Sequence, residues 1–240
     1  MTDKKITQLT SGITVSGDEL VFVSSPGSSP ATKQTTMDNV GIFGGWVADA
    51  DTWVYVSATS FKIVGKDVRT RFGVGTKLKL TNNTIKFFYV VSTAYSSDTT
   101  ITITGGTTYS LDNAVITSPY FSYGSPPNFP NYFSWTPTWT SLTTTGSPIY
   151  TGKFAVYGRL LKWTVAINPN GGTTASTANT TYINNPPIAI GVEGAGIFTQ
   201  VATLTVGGIC ASWGSGQNRI YTPTWAANSN YFAGAGGYFI

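Results

Sequence analysis

Apolar and polar side chains alternate in short runs along most of this chain, the period of a β-strand with one buried face. Between residues 41 and 124, WVYVSAT, SFKIVG, TKLKL, TIKFFYVVSTA and TTITITGG are β-branched or aromatic runs bounded by Gly, Asn and Asp. They predict a small all-β domain, a meander or small barrel, with Asn82-Asn83 as its clearest hairpin turn because Asn tolerates positive φ. Lys77 and Lys79 alternate with Leu78 and Leu80, which predicts a strand with its lysines on the wet face. From 135 to 240, IYTGKFAVYGRLLKWTVAIN, IFTQVATLTVGGICASW and YFAGAGGYFI repeat the pattern between Gly-rich and Asn-rich turns. Their spacing predicts a C-terminal β-sandwich of the jelly-roll kind. The apolar ending GYFI predicts a last strand tucked into the core or an interface.

Two stretches break the pattern. Residues 1–40 carry short apolar pulses separated by Ser, Thr and Gly, too little for a core, and read as an N-terminal arm ordered against a neighbour. In residues 125–134, Pro126, Pro127 and Pro130 remove the donors that a central strand needs. This segment is expected to connect rather than pair, as a semi-rigid linker or a clamp pinned by Phe129, Tyr132 and Phe133. The phrase WTPTW at 135–139 returns as YTPTW at 221–225 and predicts related places for the two strands. NPNGGTTASTANTTY, 168–182, reads as a polar loop that is long for a hairpin, a second candidate binding loop or simply a flexible one.

Charge changes the picture at the Pro-rich segment: Lys, Arg, Asp and Glu total 19 in residues 1–133 and 5 in residues 134–240. The charged fraction of 10% suits a stiff extracellular or particle-bound protein. The net charge of +4 is dispersed, and KDVRTR at 66–71 includes an Asp, so the chain is read as binding no nucleic acid. No apolar run reaches the ~20 residues of a membrane span, and MTDKKITQL lacks a signal-peptide core. Cys210 stands alone in an apolar run and reads as a core residue.

The chain has no histidine, and residues 134–240 contain a single carboxylate, Glu193. The commonest general base is therefore absent, and paired glycosidase acids cannot come from that half. Asp49 and Asp51 in VADADTW have the chemistry of a calcium or hydrolase site, but the plainer reading is a loop cap before a strand. No catalytic residue, cofactor or metal is assigned, and the chain is read as non-enzymatic. Glycans are bound by aromatic faces with amides and hydroxyls at their edges. SWGSGQNRIY gathers such groups around a glycine turn, making Trp213, Gln217, Asn218, Arg219 and Tyr221 candidate glycan contacts. The plainer alternative is that Trp213 and Tyr221 flank a hairpin turn and fill the end of the core.

KITQLTSGITVSGDELVFVSS followed by TKQTTMDNV is similar to the opening of many virion proteins of tailed bacteriophages. GVGTKLKL, the aromatic strand after it, Leu111, Asn113 and Ile116, and the closing Ser125 to Trp135 resemble a module common in phage tail fibres. The likeness covers most of the first 135 residues; TGKFAVYGRLLKWTVAI resembles appendage heads more loosely. It implies a structural protein of the virion: a trimeric tail fibre or spike with a distal head that adheres to a host cell-surface glycan or protein. The arm, through Ile6, Leu9, Leu20, Val21 and Lys33, would anchor it to other virion proteins. A capsid decoration, cement or head-spike protein is the alternative, and a polysaccharide depolymerase a more distant one.

Overall fold

The computed structural model describes residues 20–24, 32–36, 45–201, 205–213 and 218–240, with the backbone alone described at 20–24, 32–36, 205–207 and 213. The described residues form an all-β protein without a helix. In chain order the strands before the Pro-rich segment are β1 Leu20–Ser24, β2 Thr32–Thr36, β3 Val47–Ala48, β4 Trp53–Ser57, β5 Ser60–Ile63, β6 Lys77–Asn82, β7 Thr84–Tyr95, β8 Thr99–Thr104 and β9 Thr117–Ser122. After it come β10 Phe133–Trp135, β11 Trp139–Thr140, β12 Thr143–Thr145, β13 Ile149–Tyr157, β14 Leu160–Asn168, β15 Thr173–Ser176 and β16 Tyr182–Ile183. The chain ends with β17 Val192–Gln200, β18 Thr205–Trp213, β19 Arg219–Tyr221, β20 Trp225–Asn228 and β21 Phe232–Phe239.

Strands β1 and β2 form a hairpin that carries Leu20, Val21 and Lys33, with Lys33 opposite Val23; Ile6 and Leu9 lie outside the described residues. Strands β3 to β9 form one seven-stranded antiparallel sheet in the order β3-β9-β6-β7-β8-β5-β4. The β6–β7 hairpin turns at Asn83, which takes φ 61°. One face of this sheet buries Leu78, Leu80, Phe88, Val90, Ile101 and Ile103 with Trp53, Phe61 and Phe72. The other face is not the wet one that the lysine pattern predicts. Lys77 is 8% exposed, and Lys79 lies 4.1 Å from the Tyr120 ring centroid and 5.0 Å from that of Trp46. The sequence pattern could not show that a second layer covers this face.

That layer is the C-terminal half and the segment leading into it. Tyr89 of β7 belongs to the same apolar cluster as Phe133 and Phe154, and its hydroxyl accepts the Val156 N–H at 3.1 Å. The C-terminal half has a nine-stranded sheet, β10-β13-β14-β21-β17-β18-β19-β16-β11, and a three-stranded one, β12-β15-β20. Strands β10 and β11 lie at opposite edges of the larger sheet, yet only residues 136–138 separate them. Trp135 and Trp139 are therefore at most about 14 Å apart, so the sheet must curl strongly on itself in a sandwich-like arrangement.

Glycines on the inner face make room inside the curl. A Cβ at Gly236 would stand 2.6 Å from Trp163, and one at Gly234 would stand 2.7 Å from the Phe198 ring. Phe198 lies 6.1–6.3 Å from Trp139, Trp163 and Trp225, and Trp225 stacks on Phe232 at 4.5 Å. The indole N–H groups of these three tryptophans and of Trp135 are buried and meet no oxygen or nitrogen acceptor among the described residues. The TPTW repeat has a physical reading here. Both copies lie where the chain passes to a new sheet position, and the last Trp of each packs on Phe198. GYFI ends in strand β21, inside the large sheet, with Tyr238 and Ile240 buried. The stretch 168–182 is not one long loop: Thr173–Ser176 is strand β15, paired on both sides.

Candidate functional site

The five candidates around the 213–221 turn divide. Gln217 lies outside the described residues, and Trp213 sits in register opposite Arg219. Asn218 takes φ 54°, and its Oδ1 accepts the Ile190 N–H at 2.8 Å, which ties one loop to another. The Arg219 guanidinium lies 4.3 Å from the Tyr182 ring centroid and donates to the Tyr221 hydroxyl at 3.2 Å. Tyr182 and Tyr221 pair across β16 and β19 with ring centroids 5.3 Å apart. Arg219 and Tyr221 thus form a half-buried cluster whose groups already hold one another.

The carboxylates of the N-terminal half are equally engaged. Asp49, its side chain fully buried, accepts from Trp53 Nε1 at 3.0 Å and from Arg71 Nη1 at 3.0 Å. Asp51 pairs with Lys66 and Arg71, and hydrogen bonds from these two hold its carboxyl below the ordinary range. Lys62 pairs with Asp98 and Lys86 with Asp112. Among the described residues no group of three or more His, Cys, Asp or Glu comes together as a metal site would require. Burial pushes the Cys210 thiol up to about 12, away from reactivity.

A different place gathers free binding groups: the seam between the two halves. Its floor is the outer face of the β13–β14 hairpin. Phe154 and Val156 point into the core, so Lys153, Ala155 and Tyr157 point outward by alternation. Lys162 lies opposite Ala155 on β14. The wall is the Pro-rich segment. Phe129 packs among Tyr89, Phe133, Phe87 and Trp46 at 5.0–6.1 Å. The Trp46 indole donates to the Pro127 carbonyl at 3.0 Å. Gly45, at φ 69°, lets Pro126 approach to where a Cβ would be 2.8 Å away. Asn128 adopts φ 64°, a conformation Asn tolerates, and the Phe129 N–H closes a turn onto the Pro126 carbonyl. The segment is thus a clamp on both halves. Tyr132 differs from Phe129 and Phe133: it is 51% exposed and faces Lys153.

Two depressions lie along this seam, of ≈ 330 Å³ and ≈ 270 Å³, and they share Asn131, Ala155 and Tyr157. The larger is flanked by Tyr132 and by Tyr157, which is 57% exposed. Lys153 lies 4.2 Å from the Tyr132 ring centroid, and Lys162 lies 5.5 Å from that of Tyr157. The smaller is lined by Lys77, Tyr89, Asn128 and Asn131. Among the described residues, neither asparagine side chain has a hydrogen-bond partner and no carboxylate lines either depression.

Lysine ammonium groups, half-open tyrosine rings and unengaged amides around one groove can hold a polar ligand. The sequence reading missed this site because its parts come from β6, the Pro-rich segment and a hairpin more than 20 residues further on. The available signal was Asn128 and Asn131 between prolines and lysines at outward positions of the β13–β14 pair. Comparison with protein-family models, with curated proteins and with solved structures finds no match.

Proposed function

We propose that the protein is a non-enzymatic structural protein of a phage virion, a homotrimeric tail fibre or spike that adheres to a host cell-surface glycan through the seam groove. The observation that carries the adhesive part is the groove itself, with exposed tyrosines, unpartnered asparagine amides and lysines but no carboxylate. Sugar rings stack on aromatic faces, and their hydroxyls pair with amides and ammonium groups. Most glycosidases place two carboxyl groups astride the bond they hydrolyse, which speaks against a depolymerase of that common kind. The virion assignment rests on the resemblance of residues 1–135, and residues 1–40 are the proposed anchor. Several copies on one particle turn a weak site into firm adhesion by avidity.

Trimer formation finds its best surface on the outer face of the nine-stranded sheet. There Ile197 and Ile209, 53% and 77% exposed, face each other across β17 and β18 beside Ala195, Ala211, Ala233 and Ala235. The same apolar patch, which reaches Lys153 across Ala235 and Thr164, favours the second reading, capsid decoration, in which it would lie against neighbouring virion proteins. Binding of the full chain to host cells and to a glycan panel, with mass by light scattering, separates the two. Adhesion predicts cell and glycan binding that a Tyr132→Ala/Tyr157→Ala variant loses while keeping its melting temperature. A trimer that binds neither cells nor glycans replaces adhesion with decoration.

A further inference from the structure

Two lysines of the seven-stranded sheet are equally buried, each 8% exposed, and their surroundings differ. Lys86 Nζ meets the Asp112 carboxylate at 2.8 Å and the Ser110 carbonyl at 2.7 Å. Lys77 Nζ donates to the Gly124 carbonyl and lies 5.5 Å from the Phe129 ring centroid, with no carboxylate of the described residues within ion-pair distance. An ammonium taken out of water without a counter-ion is disfavoured. Burial accordingly pushes its pKa below the ordinary lysine value.

The space beside Lys77 is the smaller depression. Its ≈ 270 Å³ far exceeds the ~30 Å³ that one water takes in the liquid. The Tyr89 hydroxyl uses a lone pair on Val156 N–H and keeps its own proton to donate. Burial raises its pKa to about 12, so the proton stays in place. The Asn128 and Asn131 amides stand at the rim on a proline-stiffened wall, which lowers the ordering cost of binding. A buried cation, a phenol donor and two unpartnered amides, with no carboxylate nearby among the described residues, have the chemistry that binds an anion.

We propose that this pocket is the anion subsite of the groove: Lys77 receives a carboxylate or phosphate carried on a glycan chain, whose neighbouring sugars run along Tyr157 towards Lys162 and Lys153. The proposal rests on the glycan-binding reading above and adds the chemical class of the glycan. It also gives the ligand a grip on both halves, since Lys77 is on β6 and Tyr157 on β13.

Calorimetric titration of the full chain with an oligogalacturonate, its carboxyl-reduced neutral counterpart and a glycerol-phosphate oligomer tests it. One or both charged probes should bind about 10-fold or more tighter than the neutral one, the scale of a charge-assisted hydrogen bond. The tighter of the two identifies the anion as carboxylate or phosphate. Lys77→Met should remove most of that preference without lowering the melting temperature, because it replaces an unpaired buried charge by an apolar chain of similar shape. Asn131→Ala, at an exposed position, should weaken the charged probes with the fold untouched. If the charged and neutral saccharides bind alike, or if Lys77→Met keeps the preference, the anion subsite is overturned and the glycan reading stands. If no saccharide binds, both are overturned.

Discussion

The two halves of the molecule hold their cations in different ways. In the seven-stranded half Lys62, Lys66, Arg69, Arg71 and Lys86 each meet an aspartate. In the C-terminal half Lys153, Lys162 and Arg219 lie over Tyr132, Tyr157 and Tyr182, and no ion pair forms there among the described residues. Lys77 and Lys79 belong by sequence to the first half but face the seam, and both rest near aromatic rings. A cation in an ion pair has its charge answered within the protein. Lys153 and Lys162, each held on a ring, keep donors and net charge, whereas Arg219 already donates to Tyr221. The scarcity of carboxylates after residue 133 therefore leaves binding capacity at the seam instead of cancelling it.

Removing the central ring of the C-terminal core should have the largest effect. Phe198 is fully buried among three tryptophans, and Phe198→Ala should cost ~3–5 kcal/mol in chemical denaturation. A loss below 1 kcal/mol would mean that the glycine-lined interior collapses to fill the space. The matching test of the first half is Asp49→Ala, which strips Trp53 and Arg71 of an acceptor inside the sheet. Arg71 keeps Asp51 and is partly exposed, so the cost should be roughly 2–3 kcal/mol, below that of a fully buried pair. If Asp49→Ala costs more than Phe198→Ala, polar pairing rather than apolar packing carries more of this protein's stability.

Fold class was legible in the chain because strand alternation and turn chemistry are local. The β6–β7 hairpin at Asn83 and the last strand, with Tyr238 and Ile240 buried, follow from neighbours a few residues away. The site was not legible, because a seam is made by segments distant in sequence. TKLKL alternates as a half-wet strand does, and nothing within it says that residues 125–133 will cover Lys77. Asn218 shows a second way in which local composition leaves a role open. Its polar turn has the composition of a binding loop, but its amide oxygen is used to hold Ile190. The 168–182 stretch was misread because its Thr and Ser runs lack apolar alternation, although β15 pairs on both sides and buries Thr174 and Ser176. Composition names the chemistry available; pairing decides which groups remain free.

Acid should separate the halves at a smaller scale. Hydrogen bonds hold the carboxyls of Asp51, Asp98 and Asp112 below their usual value of 3.8 in the folded protein. A lowered folded pKa gives stability that is fully present above the unfolded value and is lost as pH falls through the folded one. Below about pH 4 the seven-stranded half should therefore weaken first, read as earlier loss of its amide cross-peaks in a two-dimensional NMR titration. Simultaneous loss in both halves would show that the shared cluster around Tyr89 and Phe133 makes them one cooperative unit.

The smallest stability effect should come from the ring-held cations, and that is their diagnostic. Lys162 is exposed, and its contact with the Tyr157 ring is worth about 0.5 kcal/mol. Lys162→Met should therefore move the melting temperature by no more than ~2 °C in a chain of this size. If the groove takes an anionic glycan, the same substitution should weaken binding several-fold, because it removes a charge that no carboxylate of the protein answers. Lys62→Met, on the opposite side of the comparison, removes a cation already neutralised by Asp98 and should leave glycan binding unchanged. Equal effects of the two variants on binding would reduce the groove's charge to a general surface potential. A loss confined to Lys162→Met would mean that the ring-held cations contribute to the ligand rather than to the fold.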